Sequence, residues 1–307
     1  MPDGAGSVRL ENGAPEIPLG PSELRVRMLR ATINPADRLM IEGRYPFSDP
    51  QALGAEGVGE VTAIGSDVAD LSPGDRVLPL PRGNWTMTRT LDRTAVVKIA
   101  ATLPLHAAAA LRINPATAAR LLLRGDLARG DWLIQNAARS TVATWVRRLA
   151  EDRGLRVIDV VRHSNVHTPS EHLLVEDGSL SRNVAKTTGG QAVRLALDCV
   201  AGRSTGRLAS VLADRGRLIV FGHLSGQPCS VPSTLLTRRG LTVDGFSLRP
   251  DESSDRPDQM QAFYDALGVF AAEGLSPEPD AIYPLTGIAD ALAASRAGSR
   301  VQIDLAA

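Results

Sequence analysis

The chain reads as an α/β protein in which a β-rich domain, split into two pieces, encloses a doubly wound parallel sheet. Three observations predict this. Residues 1–110 alternate short apolar runs with turn residues; 111–248 alternate strand and helix patterns; 249–307 return to helix, turn and a final strand. The expected domains are therefore 1–110 with 249–307, and 111–248.

In the first piece, "ELRVRMLRA" (23–31), "GVGEVTAIGSDV" (57–68) and "GDRVLPLPRGNWTMTRTL" (74–91) carry the strand patterns. Val58, Val61 and Ile64 are interleaved with Gly, Glu and Thr, as in a small bent antiparallel sheet or barrel. "SPGDRV" at 72–77 is a turn entering another strand. This piece is expected to be all-β with little helix.

The second piece offers strands at Trp132–Asn136, Arg156–Val161, Leu173–Val175, Arg194–Val200, Arg217–Gly222 and Leu241–Phe246. Between the first two, Val142, Trp145, Val146 and Leu149 form an apolar stripe at helical spacing, which predicts a helix over Ser140–Glu151 ended by Gly154. Short apolar strands alternating with helices belong to a parallel sheet covered on both faces. Only Arg162 to His172 separates the second strand from the third, too little for an ordinary crossover, so a loop is expected there. The last piece contains a polar linker "RPDESSDRPD", a helix in "QMQAFYDALGVFAAEGL", and helix, turn and strand in "PLTGIADALAASRAGSRVQIDL". It is expected to pack back onto the first.

Composition narrows the function. With 307 residues, 43% hydrophobic and 22% charged, the chain is of globular type, and a net charge of +0 gives no footprint for nucleic acid. No apolar run approaches the about 20 residues that span a bilayer. The opening "MPDGAGSVRL" has neither a basic nor an apolar leader region, and Cys199 and Cys229 are the only cysteines; both features lead us to expect a cytoplasmic protein without disulfides. Lysine occurs only at 98 and 186, leaving 32 of the 34 basic residues to arginine; with abundant Ala and Gly, this suggests a GC-rich bacterial genome. Two distant cysteines supply neither a catalytic nor a structural zinc set. Cys199 reads as a small buried hydrophobe in a core strand, and His163, His167 and His172 as part of a solvated loop.

The segment "DWLIQNAARSTVATW" (131–145) carries the chemistry. A strand, a turn and a helix start are where a dinucleotide site places its glycine fingerprint, yet this turn has no glycine. Ala143 stands at the helix-packing position, and Arg139, Ser140 and Thr141 stand where flexible residues are usual. Amides at a helix N-terminus still receive phosphate, helped by the helix dipole. Taken alone, the turn is equally readable as an ordinary Ser140 cap. "VIDVVR" ends in Arg162, which suits a ribose 2′-phosphate, whereas Asp159 lies inside the strand, away from any ribose.

"INPAD" (33–37), "EGRYP" (42–46), "GAEGVGEVTAIGSDV" (54–68), "PGDRV" (73–77), "INPATAARLL" (113–122), "GDWLIQNAARSTVATWV" (130–146), "LRVIDVVR" (155–162) and "VFGHLSGQP" (220–228) occur in this order. The set resembles the zinc-free medium-chain dehydrogenase/reductases, and within them the mitochondrial-type trans-2-enoyl thioester reductases, over most of residues 23–305. The resemblance implies a GroES-like catalytic domain, a Rossmann cofactor domain, NADPH as cofactor, no metal, a small-molecule or acyl-thioester substrate, and a homodimer paired through "LTVDGFSL". It implies cofactor contacts at Asn114 beside Pro115, Arg139, Ser140, Thr141, Val142, Arg162, Phe221, Gly222, His223, Leu224, Phe246, Ser247, Leu248 and Arg300. The relatives often carry tryptophan where this chain has Ser247. Tyr45 matches the catalytic tyrosine, and Asn34 and Trp85 match pocket-lining positions; Arg44, next to Tyr45, could meet an anionic substrate or simply face solvent.

Three functions remain open on the sequence. They are an NADPH-dependent enoyl thioester reductase, a quinone or alkenal reductase using the same hydride chemistry, and a non-catalytic nucleotide-binding scaffold.

Overall fold

The computed structural model describes residues 8–11, 17–44, 53–163, 168–248 and 256–306. It divides into two compact units, 1–113 with 249–307, and 114–248.

The first unit opens with β1 (Glu23–Thr32), α1 (Pro35–Ile41), β2 (Glu56–Ile64), β3 (Arg76–Pro79), β4 (Thr88–Asp92), β5 (Val96–Lys98) and α2 (Leu105–Ala109). Leu24, Val26 and Met28 are buried in alternation along β1, after which the next buried residue is Ala31. The pairing with β2 shifts register between Met28 and Arg30, so a bulge re-phases which side chains point inward. The piece is β-rich with little helix, as expected, its described α-helices being the short α1 and α2. Helix α1 starts where Asn34 precedes Pro35, because proline suits a first helical turn whose amide has no intrahelical acceptor.

The second unit runs α3 (Asn114–Arg124), β6 (Trp132–Gln135), α4 (Thr141–Asp152), β7 (Arg156–Val161), β8 (Leu173–Val175), α5 (Leu180–Thr188), β9 (Val193–Asp198), α6 (Arg203–Val211), β10 (Arg217–Val220), α7 (Ser233–Arg239) and β11 (Thr242–Gly245). Every pairing in its sheet is parallel, in the order β11-β10-β9-β6-β7-β8. Trp132, Ile134, Ile158, Val160 and Ala196 pack one face against Leu180, Val184 and Leu208. No helix occurs between β7 and β8 among the described residues. Cys199 lies one residue past β9 rather than within a core strand.

The chain then returns to the first unit with α8 (Pro257–Phe270), β12 (Ala281–Pro284), α9 (Ile288–Arg296) and β13 (Val301–Asp304). β12 was not expected from the sequence. β13 pairs antiparallel with Arg30–Thr32 of β1, while β4 pairs with Glu23–Arg27 and β2 follows β1 along its other edge. Ile288, Leu292, Val301 and Ile303 join Leu24, Val26 and Met28 in one core. Among the described residues no helix is long and apolar enough to cross a membrane.

Candidate functional site

In the second unit, the chemistry-bearing residues follow the C-terminal ends of the parallel strands, where open α/β sheets bind ligands. Asn136, just past β6, is 2% exposed. Its amide donates to Asp198 Oδ1 (2.6 Å) and Ser204 Oγ (2.9 Å), and its carbonyl oxygen accepts from the Cys199 amide (2.8 Å). Asp198, fully buried at the end of β9, also accepts from the amides of Val200 and Ala201 (both 2.9 Å) and the Thr205 hydroxyl (2.6 Å). Ser204 donates onward to Glu176 Oε2 (2.9 Å), whose other oxygen accepts from Arg207 (3.0 Å).

Two alanines in these turns are left-handed, Ala137 at φ +49 and Ala201 at φ +64. Such a backbone costs a non-glycine residue on the order of 1–3 kcal/mol and persists only where the surroundings over-determine it. Ala137 thus occupies a conformation that glycine would supply at little cost. The turn closes with the Ser140 amide donating to Ala137 O (2.8 Å). The Ser140 hydroxyl then accepts from the Ala143 amide (3.1 Å), as a helix N-cap. No described residue accepts from the amides of Thr141 or Val142, which open α4. Arg139 is exposed beside them. Beneath the turn, Arg147 donates to Ala138 O (2.9 Å) and to Asp159 Oδ1 (3.0 Å), and Gln135 donates to the same Asp159 oxygen (2.8 Å). Asp159 is inside β7 as expected; its ion pair with Arg147 was not foreseen.

Arg162 is exposed one residue past β7. Phe221, Gly222 and His223 are half-buried after β10, and Leu224 is exposed. This loop is tied to the end of β9, with the Phe221 amide donating to Asp198 O (2.9 Å) and that of Leu224 to Cys199 O (3.2 Å). A Cβ at Gly222 would stand 2.5 Å from Cys199 O and 2.7 Å from its sulfur, so the close approach needs glycine. After β11, the Phe246 amide donates to Val220 O (2.8 Å), and the Arg124 guanidinium lies 5.0 Å from the Phe246 ring centre. Ser247 and Leu248 continue this rim, half-buried. Asn114 is the first residue of α3.

A dinucleotide phosphate fits these features. Two open amides at a helix N-terminus present donors and the positive end of a dipole, and the one carboxylate beneath the turn is paired with Arg147.

The first unit holds the other predicted residues. Asn34 is 3% exposed and donates to Glu56 Oε1 (2.8 Å), while the Ile113 amide donates to Glu56 Oε2 (2.8 Å). Asp37, also buried, accepts from the amides of Asn34 and Ala55 (both 3.0 Å) and from Arg82. Arg112 donates to Ala55 O (2.9 Å). Burial pushes Glu56 up to about 7, against the lowering effect of the Asn34 and Ile113 bonds. Burial likewise raises Asp37 despite the Arg82 charge. Trp85 packs against the first unit's core, and its indole N–H donates to Thr32 O (3.4 Å). Gly54, at φ +89, lies against it, since a Cβ there would meet Trp85 Cδ1 at 2.5 Å. Arg300 is exposed and paired with Asp280 (2.6 Å). Arg44 is exposed near Glu42 (3.7 Å). Tyr45 lies outside the described residues. A cavity of ≈ 710 Å³ in this unit, lined by Asp70, Arg93, Lys98 and Gln261 among others, contains none of the predicted residues.

Sequence reasoning missed the buried acids and their partners: Asp37, Glu56, Arg112, Asn136, Arg147, Asp198 and Ser204. A signal was present, because Gln135, Asp159 and Asp198 interrupt otherwise apolar strands, and a buried polar group must find a partner.

The family profile described as "Alcohol dehydrogenase GroES-like domain" matches residues 20–102, and that described as "Zinc-binding dehydrogenase" matches 171–301. The chain is 37% identical over 256 residues to the mitochondrial enoyl-[acyl-carrier-protein] reductase of Homo sapiens, covering 78% of this chain and 68% of that protein. It is 34% identical to the Mus musculus protein of the same name, covering 89% and 78%. Among solved structures, a candidate NADPH:quinone reductase from Bacillus thuringiensis is 27% identical with a TM-score of 0.85, covering 94% of this chain and 92% of that one. The mitochondrial 2-enoyl thioester reductase heterodimer of Candida tropicalis, 23% identical with a TM-score of 0.80 over 94% and 92% of the two chains, shares the fold.

Zinc does not fit the donors present. It is held by thiolates, imidazoles and carboxylates converging on one point. Burial and the neighbouring Asp198 push the Cys199 thiol up to about 12, Cys229 is exposed, and no group of three or more potential ligands converges among the described residues. The ordered motifs, the two-unit fold and the identity to the enoyl reductases together make this chain a member of the medium-chain dehydrogenase/reductase superfamily, in the branch of the mitochondrial-type enoyl thioester reductases.

Proposed function

We propose that the chain reduces the α,β double bond of a 2-enoyl thioester with NADPH. The observation that carries this reading is the pair of open amides at Thr141 and Val142, together with the exposed Arg162 one residue past β7. Family membership supports it. Arg139, Ser140, Thr141 and Val142 would hold pyrophosphate, and Arg162 would take the ribose 2′-phosphate. Asn114, Phe221–Leu224, Phe246–Leu248 and Arg300 are assigned to the remainder of the cofactor. When bound, the nicotinamide supplies a hydride.

The substrate gains that hydride at its β-carbon and a proton at its α-carbon, so the double bond becomes single. Charge building on the thioester must be met by donors from this chain. We assign that role to the Tyr45 hydroxyl, with the Asn34 amide group and the Trp85 ring lining the pocket. Glu56 and Asp37 fix the position of Asn34 through its side chain and its backbone amide.

A parallel screen tests the reading: NADPH oxidation with a crotonyl thioester, a long-chain enoyl thioester, a quinone and a free enal. Thioester turnover well above quinone turnover supports the proposal. Turnover of quinones alone favours the second reading, to which the likeness to the candidate NADPH:quinone reductase lends weight. Tyr45→Phe should lower thioester turnover by roughly a hundredfold, with little effect on NADPH binding. Parent-like turnover in that variant removes Tyr45 from the chemistry. We further propose a homodimer joined through β11, the edge strand where Val243 is exposed; light scattering that reports a monomer refutes it.

A further inference from the structure

In the second unit, the turn that opens α4 lacks the glycines that normally permit its shape. Ala137 is nevertheless left-handed there. Something outside the turn must hold it. Two side chains reach the carbonyl of Ala138, a buried residue of the turn itself: the Thr168 hydroxyl donates to it at 3.4 Å, and, from two turns along α4, Arg147, only 14% exposed, donates through Nη1 at 2.9 Å. Its other nitrogen donates to Thr144 Oγ1 (3.0 Å). The charge is neutralised by Asp159 (3.0 Å), which is fully buried in β7. Asp159 in turn accepts from Gln135 (2.8 Å), and the same Gln135 amide donates to Ala143 O (3.1 Å) in the first turn of α4. Strand β6, the turn, helix α4 and strand β7 are thereby joined through one ion pair.

We infer that Arg147, seated on Asp159, is a positioning residue that holds the glycine-free turn in the conformation exposing the Thr141 and Val142 amides to phosphate. The inference rests on the cofactor reading above. Arg147 acts through the backbone. Its charge is already paired beneath the turn, so a direct contact with phosphate is not its role. It therefore affects NADPH and NADH alike, since both carry the pyrophosphate, unlike Arg162, which is assigned to the 2′-phosphate alone.

The test is fluorescence titration of NADPH and NADH against the full chain and the variants Arg147→Met, Arg147→Lys, Ala137→Gly and Arg147→Met/Ala137→Gly, with folding checked by circular dichroism. Arg147→Met should weaken both cofactors by a similar factor, about tenfold. Adding Ala137→Gly should restore most of the loss, because glycine adopts the left-handed backbone unaided. A purely structural role for Arg147 would give lower stability with no such rescue. Should Arg147→Met not fold, Arg147→Lys decides: it keeps the charge on Asp159 but lacks the guanidinium fork, and should weaken both cofactors about threefold. Parent-like affinity in the folded Arg147 variants, or a loss that Ala137→Gly leaves untouched, overturns the inference while the cofactor reading stands. If the parent chain binds neither cofactor, both fall.

Discussion

Each unit buries two carboxylates near its predicted site, and the two pairs are used differently. In the second unit, Asp198 takes four neutral donors, from Asn136, Val200, Ala201 and Thr205, and so ties the end of β6 to the end of β9 and the start of α6. In the first, Glu56 takes two, from Asn34 and Ile113, while the nearby Arg112 bonds to the carbonyl of Ala55 instead. The comparison teaches that the number of donors on a buried carboxylate sets how much of the surrounding chain it pins. Burial raises Glu56 to about 7 despite its two donors.

The largest effect should come from removing the Asp198 carboxylate. Asp198→Ala removes the acceptor from four donors, three of them buried, at about 1–3 kcal/mol for each buried one, so a loss of about 4 kcal/mol or more is expected in urea denaturation. A loss below about 1 kcal/mol would mean that water replaces the carboxylate, and the contrast between the units would disappear.

The next test addresses Glu56. Its folded value lies above the ordinary 4.5, so between pH 4.5 and about 7 the folded chain holds a proton that the unfolded chain has released. Stability is therefore greatest below that window and falls as pH rises through it, by on the order of 3 kcal/mol at most. Asp37, also raised by burial, adds a slope of the same sign. Glu56→Gln, which cannot ionise, should flatten the dependence of urea midpoint on pH between 5 and 7. Parallel slopes for parent and variant would reject the assignment.

The smallest effect lies at the rim of the second unit. Arg162→Ala should weaken NADPH by about 1–3 kcal/mol, the scale of a charge-assisted hydrogen bond, and leave NADH nearly unchanged. Equal losses for the two cofactors would show that Arg162 does not read the 2′-phosphate.

Much of this architecture was legible because hydrophobic period follows directly from which face is buried. All six parallel strands are found within two residues of their expected ends, and the short link after Arg162, which carries no helix among its described residues, was read from residue count alone. Helix α1 was passed over although Asn34-Pro35 is a recognisable start, because the segment is only seven residues long. β12 has four residues of mixed exposure, too short to display a period. The site was half legible. Motif positions point to the turn and to Arg162, but the Arg147–Asp159 pair joins a helix to a neighbouring strand, and such a pairing is invisible until the fold sets the two side by side.

The seam between β1 and β13 has a consequence for the order of events as the chain leaves the ribosome. Arg30 pairs with Asp304, so the first unit's sheet cannot close until residue 304 has been synthesised. Residues 114–248 form a unit of their own and are complete well before that. The second unit is thus free to fold during translation, while β1 waits for its last neighbour with the edge between Arg30 and Thr32 unpaired. β1 precedes the second unit in the chain and gains its last neighbour after that unit is complete.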